Sequence, residues 1–186
     1  GKILVADDQH PPIDYKHLKQ LPQLQEIEFT FSGVKDADLV HIKDLKELRK
    51  LNFVFEGITD AGLVHLKGLK ELRELNLGAG PDITDAGLKH LKSLSKLERL
   101  VVGSGDFRPK ITDDGLAHLK DLKKLEVLSI GASKVTDDGL QHLKGLRNLR
   151  RLQLHSESIT KAAVEELQRD LPNCEVDIFG RKPTSS

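Results

Sequence analysis

The apolar residues of the stretch Ile58–Leu77, ITDAGLVHLKGLKELRELNL, change their spacing halfway along it. Leu63, Leu66 and Leu69 recur at the interval of one helical face, whereas Leu72, Leu75 and Leu77 close on the every-second-residue alternation of a strand. The unit therefore reads as one or two helical turns followed by a short strand. Variants recur along the chain and, aligned on the first isoleucine, start at His10, Val34, Ile58, Ile83, Ile111, Val135 and Ile159. Successive starts lie 24, 24, 25, 28, 24 and 24 residues apart, a period of 24 broken by two insertions. Such a period marks a stacked array, because one unit cannot bury its own apolar stripe and must lie against its neighbours. Crossovers of a single hand then place all strands in one parallel sheet, centred on Leu4, Glu28, Asn52, Asn76, Val101, Ser129, Gln153 and Asp177.

The starts of the helical halves carry their own signal. Thr59 can N-cap a helix, and Asp60 follows where the helix dipole favours an anion. The pair returns as Thr84-Asp85, Thr112-Asp113 and Thr136-Asp137, while Lys35-Asp36 keeps only the acid and Thr160-Lys161 only the hydroxyl. At the N-terminus, Ile3-Leu4-Val5 aligns with a bare strand and no amphipathic cap precedes it, which marks an open sheet edge or a cap cut from a longer protein. At the other end, KAAVEELQRDLPNCEVDIF reads as a closing unit with a helix from Lys161 to Asp170 and a strand from Val176 to Phe179. Residues 1–180 read as a single domain and 181–186, RKPTSS, as a disordered tail.

If Leu72, Leu75 and Leu77 point into the core, Glu74 and Asn76 between them point out. Carried across the units, the first outward column reads Lys2, Glu26, Lys50, Glu74, Arg99, Val127 and Arg151. The second reads Leu4, Glu28, Asn52, Asn76, Val101, Ser129, Gln153 and Asp177, and the third Ala6, Thr30, Val54, Gly78, Gly103, Gly131, His155 and Phe179. The middle of this face is small and partly apolar, with acids toward the N-terminus and Arg151 and His155 toward the C-terminus. Both insertions, GAGPD after Leu77 and GSGDFRPK after Val102, fall beside this middle. The second carries Phe107 and Arg108, an aromatic and a guanidinium of the kind enriched at binding hot spots. The candidate partner-binding residues are thus Asn52, Asn76, Arg99, Val101, Val127, Ser129, Arg151, Gln153 and His155 on the sheet face, with Phe107 and Arg108 on the loop.

LRELNLGAGPDI, LERLVVGSG, LEVLSIGASKV and LRRLQLHSESI resemble the LxxLxLxx(N/C)xL segment of leucine-rich repeats. ITDAGLxHLK resembles the helical half found in many bacterial repeat proteins of this kind and, in a longer cysteine-containing form, in F-box-associated domains. The resemblance covers nearly the whole chain. It implies an α/β fold, an arc-shaped right-handed leucine-rich-repeat solenoid with the parallel sheet on the concave face and short helices on the convex face, and a partner on the concave side. The position usually held by Asn or Cys reads Asp8, Ser32, Glu56, Gly80, Gly105, Ser133 and Glu157, so a continuous asparagine ladder is absent.

Composition excludes more than it selects. Lys plus Arg and Asp plus Glu are both 29, so net charge gives no pull toward nucleic acid or an anionic membrane. A lone cysteine, Cys174, permits neither an intramolecular disulfide nor a cysteine-based metal site and reads as a small buried hydrophobe. His17, His41, His65, His90, His118 and His142 form a column, but helices pack about 8–10 Å apart while zinc needs ligands at about 2 Å, so locally bonded convex-face histidines are the expectation. Asp113-Asp114 and Asp137-Asp138 lack the ligand spacing of a calcium loop, and GAG at Gly78 and GSG at Gly103 lack that of a phosphate loop. KILVADD resembles the first strand of a receiver domain, but the repeat takes over by His10. No run is long enough to span a bilayer. The reading is a non-enzymatic scaffold with no cofactor that recognises a protein or peptide, monomeric unless the Ile3 edge pairs weakly with a second copy, and placed in the cytoplasm rather than elsewhere only by a slight preference. The alternative is the substrate-recognition arm of a ubiquitin-ligase-like or other enzyme complex, or a regulatory domain of a larger enzyme.

Overall fold

The computed structural model of the chain describes residues 3–7, 14–30, 33–54, 57–78, 82–103, 109–132 and 134–180. Eight strands, β1 (Ile3–Asp7), β2 (Glu26–Thr30), β3 (Lys50–Val54), β4 (Glu74–Asn76), β5 (Arg99–Val102), β6 (Val127–Ala132), β7 (Arg151–His155) and β8 (Glu175–Phe179), form one sheet. They lie in sequence order with every neighbouring pair parallel. Between them the chain returns through short helical segments on the opposite face. These are 3-10 turns at Tyr15–Gln20 and Asp36–His41, then α1 (Asp60–Leu63) continued by a 3-10 turn at Val64–Gly68, α2 (Asp85–Leu91), α3 (Asp113–Ala117), α4 (Asp137–Gln141) and α5 (Lys161–Asp170). The architecture is a right-handed solenoid with a concave sheet and convex helices.

The leucine pattern produces this directly. Leu63, Leu66, Leu69, Leu72 and Leu75 are each at most 1% exposed, as are their equivalents in the next three units, and the buried residues form one continuous core from Ala6 to Ile178. Each such leucine contributes about 1.5–3 kcal/mol on burial. The first units fill the same core with rings: Phe29 and Phe53, opposite each other in register, stack at 5.3 Å, and Tyr15 meets Phe29 edge-on at 5.7 Å.

Two parts of the expected register differ. Ile3 pairs with Glu26 and Val5 with Glu28, so Ile3 and Val5 face outward where Lys2, Leu4 and Ala6 were expected. Ala6 is buried and Leu4 packs on the core, whereas Ile3 and Val5 are 62% and 47% exposed. A slip of one residue exchanges the two faces of a strand, and the uniformly apolar ILVA contains no alternation that could reveal it. In β6 the register shifts between Ile130 and Ala132, so His155 pairs with Ala132 and not with Gly131. β4 ends at Asn76 because its side-chain Oδ1 accepts the N–H of Gly78 at 2.9 Å. Gly78 has φ of 41°, and a Cβ there would strike the carbonyl of Phe53.

The helix starts are cross-linked from unit to unit. Thr59 donates its N–H and Oγ1 proton to the Asp36 carboxylate of the preceding unit at 2.9 and 2.6 Å. The same pair of bonds runs from Thr84 to Asp60 (2.8 and 2.6 Å) and from Thr112 to Asp85 (2.8 and 2.6 Å). It continues from Thr136 to Asp113 (2.8 and 2.7 Å) and from Thr160 to Asp137 (2.7 and 2.8 Å). The threonine hydroxyls of Thr59, Thr84, Thr136 and Thr160 also cap their own helices, as expected, while Thr112 makes no such cap bond. The carboxylate needs space, which the glycine two residues into each of α1–α4 supplies; α5 carries Ala163 at that position. A Cβ on Gly87 would collide with Asp60 Oδ1, and one on Gly115 with Asp85 Oδ1.

Candidate functional site

The outward rows of the sheet are fixed by backbone pairing. The first runs Ile3, Glu26, Lys50, Glu74, Arg99, Val127, Arg151 and Glu175, and the second runs Val5, Glu28, Asn52, Asn76, Val101, Ser129, Gln153 and Asp177. Among the described residues, two clefts can be placed on this face. A cleft of about 310 Å³ at the N-terminal half is lined by Ile3, Glu26, Glu28, Lys50, Asn52, Glu74, Asn76 and Arg99 among others. A shallower one of about 250 Å³ lies toward the C-terminal half, on Val101, Gly103, Ser129, Gln153, His155 and Phe179.

The sequence-predicted residues therefore divide. Asn52, Asn76 and Arg99 meet in the first cleft, and Val101, Ser129, Gln153 and His155 in the second. Val127 lies between them on the first row. Arg151 is committed elsewhere, its guanidinium donating to Glu175 Oε2 at 2.8 and 3.1 Å. Phe107 and Arg108 lie outside the described residues, as does most of both insertions. Glu26, Glu28, Ile3, Val5 and Phe179 join this face without having stood out as candidates in the sequence. The glutamates were visible as outward positions, and an outward acid with no basic residue beside it in its own row was the available signal for Glu28.

The two clefts differ in electrostatics. In the first, the Lys50 ammonium lies 3.1 Å from Glu74, and the hydrogen bond and charge of Glu74, aided by Glu26, hold its pKa above the ordinary lysine value. Among the described residues, Glu28 takes a bond only from the Thr30 hydroxyl of its own strand, at 3.3 Å. The Asn52 amide oxygen is buried and has no hydrogen-bond partner among the described residues. Arg99, exposed at the far end, forms no ion pair among the described residues. The second cleft is neutral and small-sided, with the Phe179 ring 52% exposed at its margin and the His155 imidazole against the backbone of Gly180.

Away from the sheet, His41, His65, His90, His118 and His142 are half-buried on the convex side and His17 is exposed. Burial, with Lys67 and Lys89 nearby, pushes the His90 pKa below the ordinary histidine value. Among the described residues, no three His, Cys, Asp or Glu side chains converge to hold a metal ion. Burial pushes the Cys174 thiol up to about 11, which keeps it protonated and unreactive at neutral pH. No described helix is long and apolar enough to cross a membrane.

No family model matches the sequence, and no curated protein matches it. Solved structures do match. Internalin C2 from Listeria monocytogenes superposes with a TM-score of 0.65 at 24% identity, covering 90% of this chain and 68% of that one. A leucine-rich-repeat protein of Leptospira interrogans gives 0.59 at 24% identity, covering 87% of this chain. The fold is a leucine-rich-repeat solenoid. A plant peptide hormone receptor solved in complex with its hormone gives 0.57 at 14% identity, covering 98% of this chain. The chain spans only 45% of the Leptospira protein and 31% of the receptor.

Proposed function

We propose that this solenoid is a non-catalytic recognition scaffold that binds a protein or extended peptide across its concave sheet, through Asn52, Asn76 and Arg99 in one cleft and Val101, Ser129, Gln153 and His155 in the other. One observation carries the reading: the outward rows change chemistry at nearly every unit, whereas the core positions stay apolar and almost every helix-start position repeats. The two clefts lie on one face of parallel strands, a surface that suits an extended chain crossing several strands. Likeness to a receptor solved with a peptide hormone is consistent with this. The Phe107 and Arg108 loop is proposed as an accessory contact.

The test is selection of binders from a displayed peptide library on the intact chain, followed by Val101→Arg with Gln153→Arg, which fills the concave face without touching the core. Selected binders should be lost from the double variant while its thermal midpoint is retained. Binders that survive the two arginines overturn the concave reading. Phe107→Ala with Arg108→Ala, tested on the same binders, measures the loop separately.

A further inference from the structure

We propose that the N-terminal cleft is a subsite for an arginine side chain of an extended peptide, held by the Glu28 carboxylate and the Asn52 amide oxygen against the aliphatic wall of Ile3 and Val5. This rests on the concave face being the recognition surface and specifies what one end of it takes.

Two acceptors at this end, the Glu28 carboxylate and the Asn52 amide oxygen, have capacity to spare among the described residues. Val5, Glu28, Asn52 and Asn76 are successive neighbours in the second row. Glu28 is exposed, and no cation pairs with it among the described residues; its only bond comes from Thr30 Oγ1 at 3.3 Å. Beside it, the Asn52 oxygen is shielded from solvent and has no partner among the described residues. That orphan is particular to β3, because the equivalent oxygen of Asn76 is satisfied by the N–H of Gly78. The strands lie about 4.8 Å apart, so the two acceptors are within the span of one planar donor group. A turn of the Asn52 amide about its last torsion is enough to aim it at a group resting on Glu28.

The first row shows that these carboxylates retain a cation. Lys50 lies in register between Glu26 and Glu74 and holds the latter at 3.1 Å. It pairs with Glu74, and Glu28, one row over, has no cation partner among the described residues. Ile3 and Val5 stand directly across from Glu26 and Glu28 and are 62% and 47% exposed. An apolar wall beside a carboxylate suits a side chain with an aliphatic stem and a charged head. Arginine fits better than lysine because its guanidinium presents five N–H donors in a rigid fork, which can engage a carboxylate and a neighbouring amide oxygen together. Arg99 at the other end of the cleft, without an ion pair among the described residues, disfavours a second cation there and favours a head group at the β1–β3 end.

The experiment is an amide NMR titration of the isotope-labelled full chain with a capped glycine-serine peptide bearing one central arginine, and with the same peptide bearing citrulline, which keeps the shape and drops the charge. The arginine peptide should bind in the millimolar range, more weakly as salt rises, and move the Asn52 side-chain amide together with backbone amides of β2 and β3. Citrulline should give no saturable shift. Glu28→Gln, a change of an exposed side chain, should preserve the spectrum and weaken the arginine peptide about tenfold. Equal binding of the two peptides, no saturable shift with arginine, or unchanged affinity in Glu28→Gln overturns the subsite while leaving the concave scaffold standing. Arginine-dependent shifts confined to α1–α5 overturn the subsite and the concave reading together.

Discussion

Two columns of side chains run the length of the solenoid at one residue per unit, and they behave in opposite ways. At the helix starts, Asp36, Asp60, Asp85, Asp113 and Asp137 each accept both donors of the threonine in the following unit, in five rungs with bonds of 2.6–2.9 Å. On the concave face, Val5, Glu28, Asn52, Asn76, Val101, Ser129, Gln153 and Asp177 stand in the same kind of column, and among the described residues the one side-chain bond between neighbours is from Gln153 to Asp177 at a long 3.5 Å. A column that carries donor and acceptor in every unit consumes its own hydrogen-bonding capacity and holds the repeats in register. One that changes chemistry leaves that capacity, such as the Asn52 oxygen, for something outside the chain. The ends of the ladder follow the same logic. Lys35 replaces the first threonine where the preceding unit has Pro12 in place of an acid, and Lys161 replaces the last acid where α5 begins the closing unit.

The contrast can be broken at several strengths. The largest effect is expected from Leu75→Ala, a fully buried truncation that should cost about 2–5 kcal/mol in urea unfolding. Asp85→Ala comes next, since it strands the Thr112 N–H and hydroxyl together and should cost about 2–3 kcal/mol by the same measurement. Gly87→Ala drives a methyl into the Asp60 carboxylate, for a loss of about 1–3 kcal/mol. Combining it with Asp60→Ala should cost less than the sum of the single changes, because each removes the same rung; strict additivity would show that the glycine column serves another purpose. The smallest effect belongs to the concave side. Arg151→Ala breaks an exposed pair with Glu175 and should change stability by no more than about 1 kcal/mol. A loss from Arg151→Ala as large as that from Asp85→Ala would erase the distinction between the two columns.

Much of this was legible in the chain. The leucine spacing fixed strand order, the helical halves and the core, and α5 spans the residues that the closing unit suggested. The Thr-Asp pairs were visible too, but only as local capping, because a bond from Asp60 to Thr84 crosses 24 residues and no local pattern reports it. The glycines of the helix starts read as plain repeat residues until the neighbouring carboxylate gave them a reason. At the site, Asn52, Asn76 and Arg99 were correctly placed outward, yet their grouping with Glu28 and the separation from the cleft at Gln153 and His155 depended on register.

The sequence by itself determined the period, the parallel stacking and the buried leucines, because those follow from short-range alternation and from the inability of a single unit to bury its stripe. Only the tertiary structure decided that Ile3 and Val5 face the concave side, that the aspartates reach the next unit and that Asn52 is left without a donor. Those outcomes depend on which residue of one repeat lies beside which residue of the next. In a strand without alternation, as at β1, a shift of one residue changes every such neighbour while the local pattern stays the same.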